Sequence, residues 1–239
     1  MLFDLGGTLV DERDIPAWVE FARELFVDLE PDELAHAHAE VERADALGPL
    51  EGDGKSAVAE FWRRVISRAA GREVETATAV RFWERVRAAQ VDRTLPVFSD
   101  VRRCLDSLRG DGRRLGIVSN SSSEASVRRI LDRAGILDAF ERVVSSGTEG
   151  VAKPDPEIFR RAVRRLGVRP DEVLYVGNLL RTDAVAAAAA GLHSLWLNRE
   201  GTGLSEVPNE ITSLLEVPLV LSALESSHPA AEPAARSSR

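Results

Sequence analysis

Four short segments of the sequence carry side chains that can hold a phosphate or a similar oxyanion. They lie at Asp4 with Gly6, Gly7 and Thr8, at Ser119 with Asn120, at Lys153 with Pro154, and at Gly177 and Asn178 with Asp183. Asp4 offers a carboxylate, and the glycines after it offer backbone amides that suit phosphate oxygens. Ser119 and Asn120 are neutral donors, and Lys153 carries a fixed positive charge.

A divalent cation also suits this set of residues. Mg²⁺ takes one or two carboxylates together with water and phosphate oxygens, and Asp4 and Asp183 can supply those carboxylates. Each residue alone has an ordinary structural explanation, since Asp is common in turns and often caps a helix. Their occurrence together in this order, each after an apolar stretch, favours one shared site.

The elements that must position these residues are predicted from Leu95 onward by alternating strand and helix patterns. Strands are predicted at 115–119, 143–145, 173–176 and 194–197, and helices at 100–109, 124–134, 156–166 and 183–190. This alternation is typical of βαβ units in an α/β fold, with a parallel sheet and helices on both faces. Ligands of such sheets bind at the carboxyl ends of the strands, which is where the four segments fall.

Residues 11–95 have a different pattern, with four helical segments and no clear strand signal. Three of the four tryptophans of the chain lie in this region. We expect these aromatic side chains to pack a core of their own. The sequence therefore predicts a helical insertion into the α/β core.

Composition limits the classes of protein to which the chain can belong. It has 239 residues, a net charge of −8 and one cysteine, Cys104. The negative charge argues against a nucleic-acid-binding surface, and a lone cysteine favours a reducing compartment. No apolar stretch is long enough to span a membrane and no signal peptide is visible, so a cytoplasmic location is expected.

Both ends of the chain carry further expectations. Only three residues precede Asp4, fewer than a central parallel strand usually has, which predicts a natural start upstream of Met1. Residues 226–239 are rich in Ser, Ala and Pro and are predicted to be a disordered tail.

The four segments together resemble the motifs of the haloacid dehalogenase (HAD) superfamily. Those motifs match Phe3-Asp-Leu-Gly-Gly-Thr-Leu9, Gly116-Ile-Val-Ser-Asn120, Ala152-Lys-Pro-Asp-Pro-Glu-Ile-Phe159 and Val176-Gly-Asn-Leu-Leu-Arg-Thr-Asp183. The resemblance extends to about Leu221. It implies a Rossmann-like parallel-sheet core at 1–10 and 96–222 and an inserted helical-bundle cap at 11–95, of the C1 type found in subfamily I.

The resemblance also implies a role for each residue. Asp4 would attack phosphorus and form an aspartyl-phosphate, and Lys153 would neutralise charge on both groups. The phosphoryl oxygens would bind to Ser119, Asn120, Gly7 and Thr8, with Thr8 also supporting the first loop. Mg²⁺, the expected cofactor, would be bound by Asp4, the Gly6 carbonyl, Asp183 and Asn178. The partner would be a small phosphorylated metabolite, with no nucleic acid or membrane involved and the oligomeric state left open.

Two positions depart from the phosphatases of that superfamily. Those enzymes usually carry a second Asp two residues after the nucleophile, where this chain has Gly6. Loss of that general acid–base typically costs ~10²–10⁴ in rate. This loss predicts a strong preference for aryl over alkyl phosphate esters, unless a cap residue or the natural substrate supplies the proton. Asn178 stands where the fourth motif usually begins with Asp, which predicts weaker Mg²⁺ binding.

Four functions stay open at this point. A slow or specialised Mg²⁺-dependent phosphatase is favoured. A 2-haloacid dehalogenase uses the same aspartate, needs no metal and lacks the second Asp, but the step from Asn178 to Asp183 follows the phosphatase spacing. Phosphonate cleavage needs a cap lysine, and Lys55 is the only one available, in a sequence that does not resemble the required motif. A non-catalytic binding protein is the fourth.

Overall fold

The computed structural model describes residues 1–47, 54–201 and 209–227. Within these ranges six strands form one parallel sheet. They are β1 (Leu2–Phe3), β2 (Gly116–Ser119), β3 (Arg142–Ser145), β4 (Leu174–Gly177), β5 (His193–Leu197) and β6 (Glu210–Ile211). Their order across the sheet is β3-β2-β1-β4-β5-β6. The predicted α/β fold with a Rossmann-like sheet is confirmed.

The register of the central strand explains how distant segments meet. Phe3 of β1 pairs with Ile117 on one side and with Val176 on the other. All three strands run in the same direction, so their carboxyl ends lie at one edge of the sheet. Asp4 therefore leaves β1 beside the ends of β2 and β4, where the sequence places the other polar residues.

Ten α-helices accompany the sheet in the described residues. They are α1 (Ile15–Glu24), α2 (Pro31–Leu47), α3 (Gly54–Ala70), α4 (Thr76–Asp92), α5 (Val101–Gly110), α6 (Glu124–Arg133), α7 (Ser146–Glu149), α8 (Pro156–Leu166), α9 (Ala186–Ala189) and α10 (Val217–Ser227). Short 3₁₀ turns lie at Leu137–Ala139, Pro170–Glu172 and Leu214–Glu216, and a π-helical turn lies at Leu180–Val185.

Helix α8 shows how local sequence defines an element next to the site. The Asp155 side chain caps its start by accepting a hydrogen bond from the Glu157 amide at 2.9 Å, and Pro156 occupies the first turn. Gly167 ends the helix in a left-handed conformation with φ of 68°. The apolar stripe that faces the sheet comprises Ile158, Phe159, Ala162, Val163 and Leu166. The helix is thus fixed immediately after Lys153.

Helices α1 to α4 form a layer with its own hydrophobic cluster, as their aromatic pattern predicted. Trp18 and Trp62 are buried in this cluster, with their ring centroids 5.0 Å apart in an edge-on arrangement. Phe82 packs against the other side of Trp62 at 5.1 Å. Separate clusters fill the two faces of the sheet. The division of the chain into two domains remains a prediction.

The chain leaves the sheet region and returns to it at adjoining points. Val10 pairs in an antiparallel bridge with Val97. The Asp11 amide donates to the Pro96 carbonyl at 2.8 Å, and the Phe98 amide donates to the Leu9 carbonyl at 3.2 Å. These bonds form a two-stranded connection between the α1–α4 layer and the sheet, which we call the Val10–Val97 connection.

Two expectations about the C-terminal half differ from the structure. The helix predicted at 183–190 begins instead with the π-helical turn at Leu180, so Asp183 lies inside that turn. Helix α10 continues through Ser227, beyond both the predicted core boundary at 222 and the predicted start of the tail at 226. Leu224 packs on the core and so extends the helix. Residues 228–239 of the predicted tail lie outside the described residues.

No helix in the described ranges has the length and apolarity needed to cross a bilayer.

Cys104 is buried in α5, and burial raises the pKa of its thiol to about 12. A thiol with so high a pKa is a poor nucleophile, which favours a structural role for this residue.

Candidate active site

The centre of the site is a buried cluster in which Lys153 binds two carboxylates. Its Nζ donates to Asp4 Oδ1 at 2.5 Å and to Asp183 Oδ1 at 2.6 Å. A third contact, at 3.0 Å, joins Nζ to the hydroxyl of Tyr175. Asp4, Lys153 and Asp183 come from separate segments of the chain, and the structure brings them together as the sequence predicted.

Asp183 is placed differently from its expected role as a metal ligand. It is fully buried, and its Oδ1 accepts hydrogen bonds from Lys153 and from the Tyr175 hydroxyl, the latter at 2.9 Å. Its Oδ2 accepts from the Leu179 amide at 2.9 Å. Because both oxygens already bind donors of the chain and lie away from the cavity, Asp183 orients Lys153 instead.

Tyr175 is a site residue that the sequence analysis missed. It is the only tyrosine of the chain and lies on β4, fully buried. Its hydroxyl bridges Lys153 and Asp183, and burial together with the two nearby carboxylates keeps its pKa well above the usual value. It therefore remains a neutral donor. The one feature of the sequence that could have pointed to Tyr175 is that the chain has a single tyrosine.

Asn120 holds the loop that carries Lys153. Its Nδ2 donates to the Lys153 carbonyl at 2.9 Å, and its Oδ1 accepts from the Lys153 amide at 2.8 Å. Because both ends of the Asn120 amide bind the Lys153 backbone, the side chain positions the lysine. The structure does not favour direct binding of phosphate by this side chain. Ser119, at the end of β2, lines the cavity beside Lys153 and keeps its expected place.

The loop after β1 is tight, and some of its polar groups form contacts within the protein instead of facing the cavity. Gly7 adopts φ of 72°, and its amide donates to the Val10 carbonyl at 2.9 Å rather than facing the cavity. A side chain at Gly7 would also meet Asn178, whose Cγ lies 2.8 Å from the built Cβ position. Thr8 is fully buried, so it supports the loop and does not reach a phosphate.

Arg199 fixes the same loop from outside. Its guanidinium donates to the Thr8 carbonyl at 2.7 Å and to the Gly7 carbonyl at 3.3 Å. It also forms two hydrogen bonds, at 2.9 and 3.1 Å, with the buried carboxylate of Asp100. This planar, bidentate arrangement needs the geometry of arginine. The sequence gave no sign of this pair, because the two residues are 99 positions apart.

Gly6 and Glu12 are in contact, and the sequence did not indicate that they would be. A Cβ built on Gly6 would lie 2.6 Å from Glu12 Oε1 and closer still to Oε2 and Cδ. Gly6 itself is not among the residues with positive φ, unlike Gly7. The obstacle to a side chain at position 6 is therefore the Glu12 carboxylate and not the backbone conformation.

Residues 1–191 match the family described as haloacid dehalogenase-like hydrolase. This chain belongs to that family of hydrolases. The resemblance found in its motifs is thereby confirmed, while the subfamily and the cap type stay predictions.

Several characterised proteins resemble this hydrolase. The glyceraldehyde 3-phosphate phosphatase of Methanothermobacter thermautotrophicus is 34% identical over 44% of this chain, and the match covers 46% of that protein. The chain thus spans about half the length of such relatives. The phosphoserine phosphatase of Thermus thermophilus is 29% identical over 83% of this chain and 88% of its own length. The (S)-2-haloacid dehalogenase of a Pseudomonas species is 29% identical, covering 77% and 88%.

Among solved structures, a HAD phosphatase from Thermococcus onnurineus superimposes with a TM-score of 0.60 at 27% identity. The superposition covers 92% of this hydrolase and 96% of that chain. The relatives named so far include both phosphatases and a dehalogenase, so the family alone does not choose between the two chemistries.

The hydrolase has a cavity of about 760 Å³ between the sheet edge and helices α1 to α4. Asp4, Ser119 and Lys153 lie on its floor. Its opposite wall has an aromatic part, formed by Trp18, Phe61, Trp62 and Trp83, beside the charged side chains of Glu42, Arg43 and Arg87. Such a cavity has room for a small metabolite whose charged end faces the floor and whose remainder faces the aromatic wall.

The electrostatic environment of the cavity in this hydrolase stabilises the charged form of Lys153 and the neutral forms of Asp4 and Glu12. Burial raises the pKa of Asp4 above its usual value, although Lys153 opposes this effect. Burial alone would lower the pKa of Lys153, but Asp183 and Asp4 outweigh it and raise that pKa. Burial, and after it the charge of Asp4, raises the pKa of Glu12 to about 7.

Oxygen atoms that fit Mg²⁺ converge beside Asp4 in this hydrolase. The Thr8 hydroxyl lies 3.4 Å from Asp4 Oδ2 and 3.3 Å from Asn178 Oδ1. One hydroxyl hydrogen can serve only one of these oxygens at a time, so the other has no donor there. Across the described ranges, no group of three or more His, Cys, Asp or Glu side chains suits a metal. The set fits Mg²⁺, which binds through few protein oxygens plus water and phosphate.

Proposed function

We propose that this hydrolase is a Mg²⁺-dependent phosphatase that acts on a small phosphorylated metabolite through an aspartyl-phosphate at Asp4. The observation that carries the proposal is the pairing of Asp4 with Lys153 on the floor of the cavity, with Nζ 2.5 Å from Oδ1. A lysine that is fixed beside a nucleophilic carboxylate can stabilise a phosphoryl group at the same place.

The roles of the side chains follow from their positions. Asp4 attacks phosphorus, and Lys153 offsets the negative charge that builds up on the phosphoryl oxygens. Ser119 donates a hydrogen bond to one of those oxygens from the end of β2. Asp183, Tyr175 and Asn120 act behind them by fixing the position of Lys153. Pre-set donors of this kind need no reorganisation during the reaction, which is the main source of their effect.

Asp4 Oδ2 and Asn178 Oδ1 would hold Mg²⁺, with the Gly6 carbonyl as the third expected ligand. When bound, the ion would supply positive charge that screens the approach of the carboxylate to the phosphoryl group. Asn178 is neutral, so fewer protein charges offset the charge of the cation than in a site with Asp at this position. We therefore propose weak Mg²⁺ affinity.

The phosphatase proposal is supported by the similarity to the phosphoserine phosphatase, which spans most of both chains. The five-residue step from Asn178 to Asp183 also follows the spacing typical of phosphatases in this superfamily. In the structure this spacing places Asn178 at the cavity and Asp183 behind Lys153.

A 2-haloacid dehalogenase is the second candidate. The similarity to the (S)-2-haloacid dehalogenase, which is as high as that to the phosphoserine phosphatase, favours it. So does Gly6, because displacement of halide needs no proton donor for the leaving group. Against it stand Asp4 Oδ2 and Asn178 Oδ1, which lie 3.4 and 3.3 Å from the Thr8 hydroxyl and suit a cation that this reaction does not use.

One comparison separates these candidates. Phosphate release from a panel of phosphorylated metabolites and chloride release from 2-chloropropionate are measured on the same preparation, with Mg²⁺ and with excess chelator. A phosphatase releases phosphate only with Mg²⁺ and releases no chloride. Chloride release in chelator, without phosphate release, would refute the phosphatase proposal and establish the dehalogenase.

A further inference from the structure

We propose that Glu12 performs the proton transfers that the side chain at position 6 usually performs in related phosphatases. The inference rests on the proposed phosphatase function and adds a catalytic residue to it. It explains how a chain with Gly6 can still protonate a leaving group and activate water.

The position of the Glu12 carboxylate is the first argument. A Cβ added at Gly6 would lie 2.6 Å from Glu12 Oε1 and overlap with the rest of that carboxylate. A carboxylate from Glu12 thus occupies the volume into which an aspartate at position 6 would project. The missing side chain at position 6 and the Glu12 carboxylate in its place together amount to the replacement of one carboxyl group by another.

The second argument is how Glu12 reaches this place. It lies two residues beyond Val10, on the strand of the Val10–Val97 connection that leads into α1. The hydrogen bonds from Gly7 to Val10 and from Asp11 to Pro96 fold this strand back over the loop after β1. A backbone held at both points returns the Glu12 side chain to Gly6.

The third argument is that the carboxylate is available. In the part of the chain that the structure describes, no donor forms a hydrogen bond or ion pair with Glu12, and the residue lines the cavity that contains Asp4. The neighbouring carboxylate Asp11, by contrast, is occupied by Arg13 at 2.9 Å. A carboxylate that faces a cavity without a partner can bind a proton of the substrate or of water.

The chemistry that follows is balanced in two steps. In the first, an Asp4 oxygen bonds to phosphorus, the phosphorus–ester bond breaks, and the leaving oxygen takes its electron pair and the proton of Glu12. In the second, water bonds to phosphorus and gives a proton to Glu12, and the bond between phosphorus and Asp4 breaks. The products are an alcohol and phosphate, and both carboxyl groups return to their starting forms.

The test uses two substrates of similar shape in the presence of Mg²⁺. The p-nitrophenolate group of p-nitrophenyl phosphate leaves without a proton, whereas the benzyl alkoxide of benzyl phosphate needs one. Glu12→Gln keeps the shape and removes the proton transfer. We expect it to slow formation of the phosphoenzyme from benzyl phosphate by ~10²-fold or more, and that from p-nitrophenyl phosphate by less than about threefold.

The same variant should also slow the second step. Rapid mixing with p-nitrophenyl phosphate should show a burst of about one p-nitrophenolate per active site, followed by slow turnover, because no carboxylate activates water. The wild type should show no such burst. Glu20→Gln, at an exposed position of α1, is the matched control and should behave like the wild type.

A relocation variant tests the position itself. Glu12→Ala with Gly6→Asp returns the carboxylate to position 6 after the space has been cleared. Its rate with benzyl phosphate should be at least tenfold higher than that of Glu12→Ala alone. Gly6→Asp in the presence of Glu12 should give no gain, because the two side chains compete for one volume.

The outcomes are distinguishable. If the wild type releases phosphate from metabolites but Glu12→Gln leaves the ratio of the two rates unchanged and shows no burst, the role of Glu12 is refuted and the phosphatase function stands. If the wild type releases phosphate from no ester, both are refuted. Circular dichroism and thermal melting of each variant exclude loss of folding as the cause.

Discussion

Asn178 of the sheet region and Glu42 of helix α2 face each other across the cavity, with Nδ2 3.4 Å from Oε1. Burial, and next the charge of Glu200, raises the pKa of Glu42 to about 7. The neutral amide of Asn178 therefore lies beside a second carboxyl group that comes from the helical layer. An aspartate at position 178 would place two carboxylates against each other.

Asn178→Asp should have opposite effects in the absence and presence of Mg²⁺. Without the ion, repulsion from Glu42 and Asp4 should lower the free energy of unfolding by roughly 1–3 kcal/mol. With it, the added charge should tighten Mg²⁺ binding about tenfold, equivalent to about 1.4 kcal/mol. Thermal melting over a Mg²⁺ titration measures both effects without a substrate.

The double variant with Glu42→Gln supplies the control for this prediction. It should remove most of the loss of stability and keep the gain in Mg²⁺ affinity. An Asn178→Asp protein whose melting temperature responds to Mg²⁺ no more than that of the wild type would contradict the assignment of Asn178 as a ligand.

Asp4→Asn should reduce phosphate release by ~10³-fold or more, because an amide cannot replace the carboxylate as nucleophile. The fold should survive, since Lys153 keeps its contact with Asp183 at 2.6 Å. Intact-mass analysis after rapid quenching should show a phosphoenzyme in the wild type and none in the variant. Asp28→Asn, at an exposed position, is the control. Near-wild-type turnover by Asp4→Asn would exclude covalent catalysis at this residue.

Tyr175→Phe should weaken the cluster around Lys153. It removes one hydrogen bond to Asp183 at 2.9 Å and one contact with Lys153 at 3.0 Å, both buried. Because hydrogen bonds to charged groups contribute about 1.5–3 kcal/mol, the free energy of unfolding in urea should fall by about that amount. A change below about 0.5 kcal/mol would show that the hydroxyl does not stabilise the ionised pair.

The architecture and the meeting of Asp4, Lys153, Ser119 and Asn178 at one sheet edge could be predicted from the sequence. Parallel strands have a repetitive pattern, and their carboxyl ends meet as a rule of the fold. The start of the helix at Leu180 could not be predicted, because a π-helical turn has no distinct periodicity of its own. Its consequence is specific, since it directs Asp183 toward Lys153 rather than toward the cavity.

The contact between Gly6 and Glu12 was also beyond sequence reasoning. A glutamate just after an apolar segment usually faces solvent, and nothing in its spacing from Gly6 distinguishes it. Its position depends on the Val10–Val97 connection, which joins residues far apart in the chain. Side-chain contacts that arise from such long-range pairing have no local signal.

His38 should make stability depend on pH. Its ring lies among those of Trp18, Phe61 and Trp62, with centroid distances of 5.3, 5.4 and 5.6 Å. Burial, and next Arg13, lowers its pKa from 6.5 to about 4. The unfolded chain therefore binds the proton more tightly. The contribution of neutral His38 to the free energy of unfolding is fully present above about pH 6.5 and is lost as the pH falls toward 4.

A comparison of variants isolates this effect from that of Glu42, whose raised pKa has the opposite pH dependence. Between pH 7.5 and 5.0, the wild type should lose about 2 kcal/mol relative to His38→Phe. Urea unfolding at several pH values measures the difference. His36→Phe, exposed on the same helix, should give a curve parallel to that of the wild type. Parallel curves for His38→Phe would contradict the buried, neutral state of His38.

The Val10–Val97 connection has a consequence for how such a molecule could be rebuilt. Because the outgoing and returning segments are neighbours, the chain passes between the sheet and the helical layer at one seam, and the residues between 10 and 97 could be exchanged for another module without altering strand register. Glu12 lies on the far side of that seam. A transplanted module would therefore bring its own residue to the space beside Gly6, and the reactivity of the hybrid would change together with its selectivity.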